Sequence, residues 1–269
     1  MTVRETLAAG AARLTDSETP RLDAELLMAH ALAVPREDML LNRLDDPAPE
    51  AFEPLLARRL AHEPIAYITG RRAFWTIEIE VGPGVLIPRP DSETLIEAAV
   101  AYFGGRAPKR ILDLGTGPGT LLLAALDQWP EATGLGVDSS AEALAHARRN
   151  AVPRAEFRLG DWADGLDERF DLILCNPPYV EAGAALPPDV ARWEPAGALY
   201  AGPGGLDAYR VLAPRLAWLL APKGVVCVEI GAGQLISATS LFAVQGFTIE
   251  SRRDLKGIER CLLLTVDRD

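Results

Sequence analysis

The chain has 269 residues, of which 49% are hydrophobic and 24% charged, and its formal net charge is −11. That length sets a prior of about two domains and buries roughly three quarters of the unfolded surface, so no disulfide or metal is needed as a staple. The composition excludes a disordered or collagen-like polymer, no run of 18 apolar residues marks a membrane span, and MTVRETLAAG leads into no apolar signal core. Residues 1–90 carry 10 basic and 14 acidic groups, and residues 91–269 carry 17 and 24. With both halves acidic, neither has the basic footprint of a protein that grips a phosphate backbone. Cys175, Cys227 and Cys261 lie far apart in apolar runs, which fits neither a disulfide framework nor a zinc site. A cytoplasmic protein with reduced thiols, no metal, no membrane contact and no direct nucleic-acid contact is expected.

Along the chain, Val3, Leu7, Ala11 and Leu14 recur at helical spacing. Thr19 offers an N-cap with Pro20 at the first helical position, and Leu22, Leu26 and Ala29 mark the next apolar face. Pro35 opens a short helix through Met39 and Leu40, and Phe52, Leu55, Leu56 and Leu60 make a fourth, closed by Pro64. From Phe74 the period changes to partial alternation through Glu80. Gly82-Pro83-Gly84 then makes a turn into Val85–Ile87, which predicts a β-hairpin. After Arg89, strands are expected near 110–114, 133–138, 155–160, 171–175, 224–230, 247–252 and 260–266, with helices between the first several. That order predicts an α/β fold with a parallel sheet covered on both faces. Only a short polar turn separates the last two strands, so they form an antiparallel pair at its edge. The expected division is a helical region 1–70, a hairpin linker 71–90 and a catalytic region 91–269.

The strand Arg110–Leu114 runs into Gly115-Thr116-Gly117-Pro118-Gly119, where glycines admit a ligand to the backbone at a helix N-terminus. The spacing is not the G-x-G-x-x-G of dinucleotide folds, which disfavours a nicotinamide dehydrogenase. Asp138 ends the next strand and is placed to accept hydrogen bonds from both hydroxyls of a ribose; the other role open to it is the N-cap of the helix near Ser140. Asp161-Trp162, after the third strand, fits an adenine amino group and ring face, or a cap on the core. The fourth strand ends in Asn176-Pro177-Pro178-Tyr179. Two prolines fix the backbone and donate nothing, so the Pro177 carbonyl and the Asn176 side-chain oxygen are both acceptors beside a flat tyrosine ring. Two acceptors and an aromatic face suit a planar –NH2 group. A plain proline-rich turn is the competing reading.

Residues 113–119, Asp138 and Asn176–Tyr179 resemble the class I S-adenosylmethionine-dependent methyltransferases that act on planar amino nitrogens. Pro64–Gly70, Phe74-Trp75, Pro83–Pro90 with Asp91-Ser92-Glu93, and Glu229-Ile230-Gly231 with Gln234 narrow the resemblance to the release factor glutamine methyltransferases. One segment departs: Gly202-Pro203-Gly204-Gly205-Leu206 stands where Gly-x-Asp-Gly-Leu is expected before Tyr209-Arg210. The resemblance implies a seven-stranded Rossmann-like sheet with an antiparallel edge pair, joined through the hairpin to a small N-terminal helical bundle that helps to dock a protein substrate. It implies S-adenosylmethionine as cofactor, S-adenosylhomocysteine as product, and class I peptide chain release factors as partners, methylated on the Gly-Gly-Gln glutamine. Gly115, Thr116, Gly117, Pro118, Gly119, Asp138, Trp162 and Asn176 would bind the cofactor. Asn176, Pro177, Pro178 and Tyr179 would bind the amide, with Asn176, Pro177 and Tyr179 catalytic.

Amide resonance makes the acceptor nitrogen a poor nucleophile, so positioning by Asn176 and Pro177 is the expected source of rate. His30, His62 and His146 sit in no motif, and no general base is expected. A nucleobase amino methyltransferase shares the core motif but conflicts with the acidic halves. A non-catalytic S-adenosylmethionine-binding adaptor would not need Asn-Pro-Pro-Tyr.

Overall fold

The structure is a computed structural model that describes residues 1–266; the last three residues of the expected 91–269 region lie outside the described residues. The chain divides into two compact units, Met1–Arg71 with Leu186–Trp193, and Arg72–Ala185 with the chain from Glu194 onward. Among the described residues, no helix is long and apolar enough to cross a membrane.

In the first unit, α1 (Val3–Arg13) starts from a capping box: the Glu5 amide donates to the Thr2 hydroxyl at 3.3 Å, and the Thr2 amide donates to the Glu5 carboxylate at 2.9 Å. Next come α2 (Pro20–Leu32), α3 (Arg36–Asn42), α4 (Phe52–Leu60) and α5 (Ile65–Thr69). Thr19 flanks α2 as expected, but its hydroxyl donates to Asp23 at 3.3 Å and makes no capping bond. The buried face of α2 is shifted from the expected one: Ala29 is buried as expected, together with Ala24, Leu27 and Met28, but Leu26 is half-buried and Leu22 exposed. The shift is possible because two acids on that helix are buried with arginine partners, Asp23 with Arg59 at 2.8 Å and Glu25 with Arg21 and Arg36. Hydrophobic periodicity does not register such paired charges. Pro64 does not simply end the bundle: it flanks α5, which stops at Gly70 in the left-handed region.

The expected hairpin is present but turns elsewhere. β1 (Arg71–Phe74) and β2 (Ile77–Glu80) pair around Trp75-Thr76, with Trp75 at φ +54°. So short a connection makes the pair antiparallel. Alternation from 74 to 80 suggests one strand because nothing in Trp75 announces a left-handed backbone. Val85–Ile87 is not a strand: the Ile87 amide donates to the buried Glu194 carboxylate at 3.0 Å instead of to a ladder.

The remaining elements are α6 (Glu93–Phe103), β3 (Arg110–Leu114), α7 (Thr120–Gln128), β4 (Thr133–Asp138), α8 (Ala141–Asn150), β5 (Ala155–Leu159), β6 (Phe170–Cys175), α9 (Pro188–Ala191, grouped with the first unit), α10 (Asp207–Leu219), β7 (Leu220–Glu229), α11 (Leu235–Ala243), β8 (Thr248–Arg253) and β9 (Glu259–Thr265). Among the described residues, seven strands form one sheet in the order β5-β4-β3-β6-β7-β9-β8. The first five pair in parallel, and β9 runs antiparallel to both β7 and β8. Alternate strand residues feed two cores: Leu112, Leu114, Ile173 and Val226 pack with Tyr209 and Phe242 on one face, and Ile111, Leu172, Leu174 and Val225 with Leu95 and Leu122 on the other. Burial on both faces explains why these strands read as continuous apolar runs.

Close packing also accounts for Gly136 in β4, where an added Cβ would lie 2.7 Å from the Phe157 ring and 2.8 Å from the Thr116 hydroxyl. Gly136→Ala should therefore lower the unfolding free energy by about 1–3 kcal/mol, a loss that urea titration would register. An unchanged midpoint would mean that the β4–β5 packing is looser than described.

Candidate active site

Strand order reverses between β3 and β6, so the segments leaving their carboxyl ends border a crevice, the usual ligand position of an open α/β sheet. Leu114 pairs with Cys175, which sets Gly115 and Asn176 side by side. A cavity of about 320 Å³ opens there, lined by Gly115, Gly117, Asp138, Asp161, Trp162, Asn176 and Pro178, with Gly84–Leu86 across it. Gly115 lies at φ +71°, and a Cβ on it would stand 3.4 Å from the Trp162 ring. Glycine thus gives the loop both its turn and its close approach.

Asp138 is not the helix cap. Ser140 takes that role, accepting from the Ala143 amide at 3.1 Å. The two carboxylate oxygens of Asp138 accept from the Gly117 and Ser140 amides, each at 2.8 Å. A carboxylate has about four acceptor positions, so two remain for a ligand. Thr116 turns away from the main cavity: its hydroxyl donates to the buried Asp113 at 2.6 Å, and Asp113 also accepts from the Leu122 amide at 3.2 Å. Burial pushes the Asp113 carboxyl up to about 7 against those two bonds, and the charge of Asp138 adds to the rise. Thr116 and Pro118 line a second cavity of about 50 Å³, which shares Gly115, Gly117 and Asn176 with the first and includes Ser92. Gly119 lines neither; it flanks the start of α7 at φ +90°.

The Asn176 side-chain nitrogen donates to the Ser92 hydroxyl at 3.0 Å. Pro177 is buried, and Pro178 reaches the main cavity. Tyr179 does not line the main cavity: its hydroxyl donates to Glu229 Oε1 at 3.0 Å, and its ring borders a separate depression with Gly231 and Gln234. Burial and the neighbouring Glu229 push the Tyr179 phenol far above its ordinary value. Gln234 ties three segments together: its Nε2 donates to the carbonyls of Tyr179 (3.0 Å) and Gly205 (3.2 Å), and its Oε1 accepts from the Gly231 amide (2.9 Å) and the Tyr209 hydroxyl (3.2 Å). The departing segment 202–206 is thereby held through the Gly205 backbone, which needs no aspartate.

Glu229, 1% exposed, ends β7. Burial raises its carboxyl to about 7, while Ser92, Tyr179 and the Arg260 charge oppose the rise. Its Oε2 has no close hydrogen-bond partner, and Ser92 is the second hydroxyl, beside Tyr179, that steadies the charged carboxylate. Ser92, Glu229 and Gln234 fell within the segments that carry the family resemblance, but neither their type nor their spacing announced these contacts. Glu194 lies outside those segments: paired with Arg89 and with the Ile87 amide, it anchors the segment next to Gly84–Leu86. Among the described residues, no group of three or more His, Cys, Asp or Glu is arranged to hold a metal.

The raised carboxyls set a sign for the dependence of stability on pH. Folded Asp113 and Glu229 hold protons up to about 7, whereas their ordinary values are 3.8 and 4.5. Between those limits the folded state binds more protons than the unfolded state. The stability these groups contribute therefore falls as pH rises from about 4 to about 7. Glu229→Gln should flatten that fall by up to ~1.4 kcal/mol per pH unit, measured as urea midpoints across the interval. A slope unchanged by the substitution would show that Glu229 is not buried as described.

A family model described as the PrmC N-terminal domain matches residues 5–70, and one described as the methyltransferase small domain matches residues 92–192. A protein of Rhodospirillum rubrum named release factor glutamine methyltransferase is 46% identical over 257 residues, spanning 91% of this chain and 79% of that protein. Its namesake in Caulobacter vibrioides is 40% identical over 265 residues, spanning 93% and 92%. Among solved structures, a ribosomal protein L11 methylase from Lactobacillus delbrueckii subsp. bulgaricus superposes with a TM-score of 0.52 at 21% identity, over 71% of this chain and 86% of that one. A methyltransferase from Pyrococcus furiosus gives 0.53 at 19%, over 77% and 95%. These two share the fold. Identity of 40–46% over nine tenths of the sequence goes further: the chain belongs to the release factor glutamine methyltransferase family.

Proposed function

We propose that this chain methylates the side-chain amide nitrogen of the glutamine in the Gly-Gly-Gln segment of class I peptide chain release factors, using S-adenosylmethionine and releasing S-adenosylhomocysteine. The observation that carries the reading is the Asn176 amide, tied through its nitrogen to Ser92 at the wall of a cavity that Asp138 and Trp162 also line. This cavity fits the cofactor: glycine backbone at one part, a carboxylate with spare acceptor positions at another, and an indole ring beside Asp161. When bound, S-adenosylmethionine supplies an electrophilic methyl group on a sulfonium. Gly115 and Gly117 receive its methionine end, Asp138 its ribose, and Trp162 with Asp161 its adenine.

The rest of the rate comes from the chain's own groups. Asn176 Oδ1 and the Pro177 carbonyl accept the two N–H bonds of the substrate amide. They hold its nitrogen in line and favour a less planar geometry, in which the lone pair is less shared with the carbonyl. Tyr179, braced by Glu229, fixes the loop that carries both acceptors. No acid is needed for a neutral thioether leaving group, and the proton left on nitrogen passes to water. The helical region 1–70 and the hairpin after it dock the release factor, in the cytoplasm where translation ends.

Incubation with a release factor and cofactor should add a single methyl to the Gly-Gly-Gln peptide, seen by mass spectrometry, and should fail when that glutamine is replaced. Robust methylation of DNA or RNA with the release factor untouched would reassign the enzyme to nucleobases. Asp138→Ala should weaken cofactor binding at least tenfold by calorimetry, since each charge-assisted bond contributes roughly 1.5–3 kcal/mol. Unchanged affinity in the folded variant would remove Asp138 from the cofactor site.

A further inference from the structure

The two ends of an asparagine amide have nearly the same shape and opposite hydrogen-bonding sense, so something must decide which end meets the substrate. We propose that Ser92 is that positioning residue: its hydroxyl, directed at the buried Glu229 carboxylate, holds the Asn176 nitrogen and so presents Asn176 Oδ1 to the acceptor amide. This inference rests on the role given to Asn176 above.

The three groups come from separate segments that converge. Cys175 pairs with Val228 in the sheet, so Asn176 and Glu229 each lie one residue beyond a register pair of neighbouring strands. Ser92 arrives from the 3-10 turn Pro90–Ser92, fixed by its amide donating to the Arg89 carbonyl at 3.1 Å, and is 3% exposed. A serine hydroxyl has one hydrogen and two lone pairs. Once ionised, above about pH 7, Glu229 only accepts, and its Oε2 has no close partner of its own, so there the Ser92 hydrogen turns toward Glu229. That leaves lone pairs on the side of Asn176, which meets them with its Nδ2 hydrogens. A reversed amide would set Oδ1 against those lone pairs with no hydrogen between them. It would also offer donors to a substrate –NH2 that itself needs acceptors. Hydrogen-bond polarity thus runs from Asn176 through Ser92 to Glu229.

The test uses the full chain with a release factor as substrate, measuring kcat, KM and cofactor affinity. Ser92→Ala should lower kcat about 10–100-fold, as expected for a misplaced acceptor, with cofactor affinity and urea midpoint little changed. Ser92→Thr, which keeps the hydroxyl, should restore most of the rate. In an Asn176→Ala background, Ser92→Ala should cost nothing further, because the two act as one unit. Glu229→Gln is an independent variant: its amide can donate to Ser92, turn that hydroxyl toward Asn176 and favour the reversed orientation, so kcat should fall here as well. A wild-type kcat in Ser92→Ala, no rescue by threonine in a variant that binds cofactor, or a full additional loss in the Asn176→Ala background would each overturn the role of Ser92. Absence of release-factor methylation by the unaltered chain would overturn the activity reading itself, and this inference with it.

Discussion

The pairing of β3 with β6 is the constraint on which the site depends. These strands are far apart in sequence, yet Leu114 lies opposite Cys175, and the order of the sheet reverses between them. Crossover helices leave a strand pair of this kind in opposite directions, so a crevice opens at its carboxyl end. The glycine loop that follows β3 and the proline-stiffened loop that follows β6 therefore start as neighbours. A Cβ on Gly115 would stand only 4.0 Å from the Asn176 carbonyl oxygen. In the proposed function, a cofactor bound along one loop would lie beside an amide held by the other.

Two buried carboxylates support those loops from behind. Asp113 gathers the Thr116 hydroxyl and the Leu122 amide, tying the glycine loop to the first turn of α7. Glu229 receives the Tyr179 hydroxyl and, in the role proposed above, orients Ser92. Both are held near 7 by burial, and each has an oxygen without a close partner, so both detract from stability at neutral pH. Among the described residues, neither is matched by a close ion pair of the kind that accompanies Asp23 and Glu25 in the helical unit. Acids that serve the bundle are neutralised by arginine. Those behind the active site keep spare acceptor capacity, which is what orienting a hydroxyl requires.

Backbone anchoring follows the same division of labour. The segment around Leu86 carries no regular structure, and a loop without a ladder must find partners for its amides elsewhere. Glu194 provides one for Ile87 and also pairs with Arg89. Gln234 does likewise on the far side of Tyr179, using both ends of its amide on four groups. Each is a single side chain, Glu194 buried and Gln234 half-buried, that organises residues distant in sequence.

The sequence by itself determined the alternation of strands and helices, the parallel sheet with its antiparallel edge, the glycine loop, Asp138 and Asn176–Tyr179. Those signals are local: apolar runs, glycine spacing and proline stiffness act within a few residues of where they are written. The position of the hairpin turn at Trp75, the buried acids of α2 and the direction in which Tyr179 points were decided only in the tertiary structure. So was the meeting of Ser92, Asn176 and Glu229. The physical reason is that a polar side chain's partner is set by what the fold brings within about 3 Å of it, and no period in the chain encodes that distance. Asn176 was legible as an acceptor because two prolines follow it. Which end of its amide is engaged within the protein became legible only when a serine 84 residues earlier was found against it.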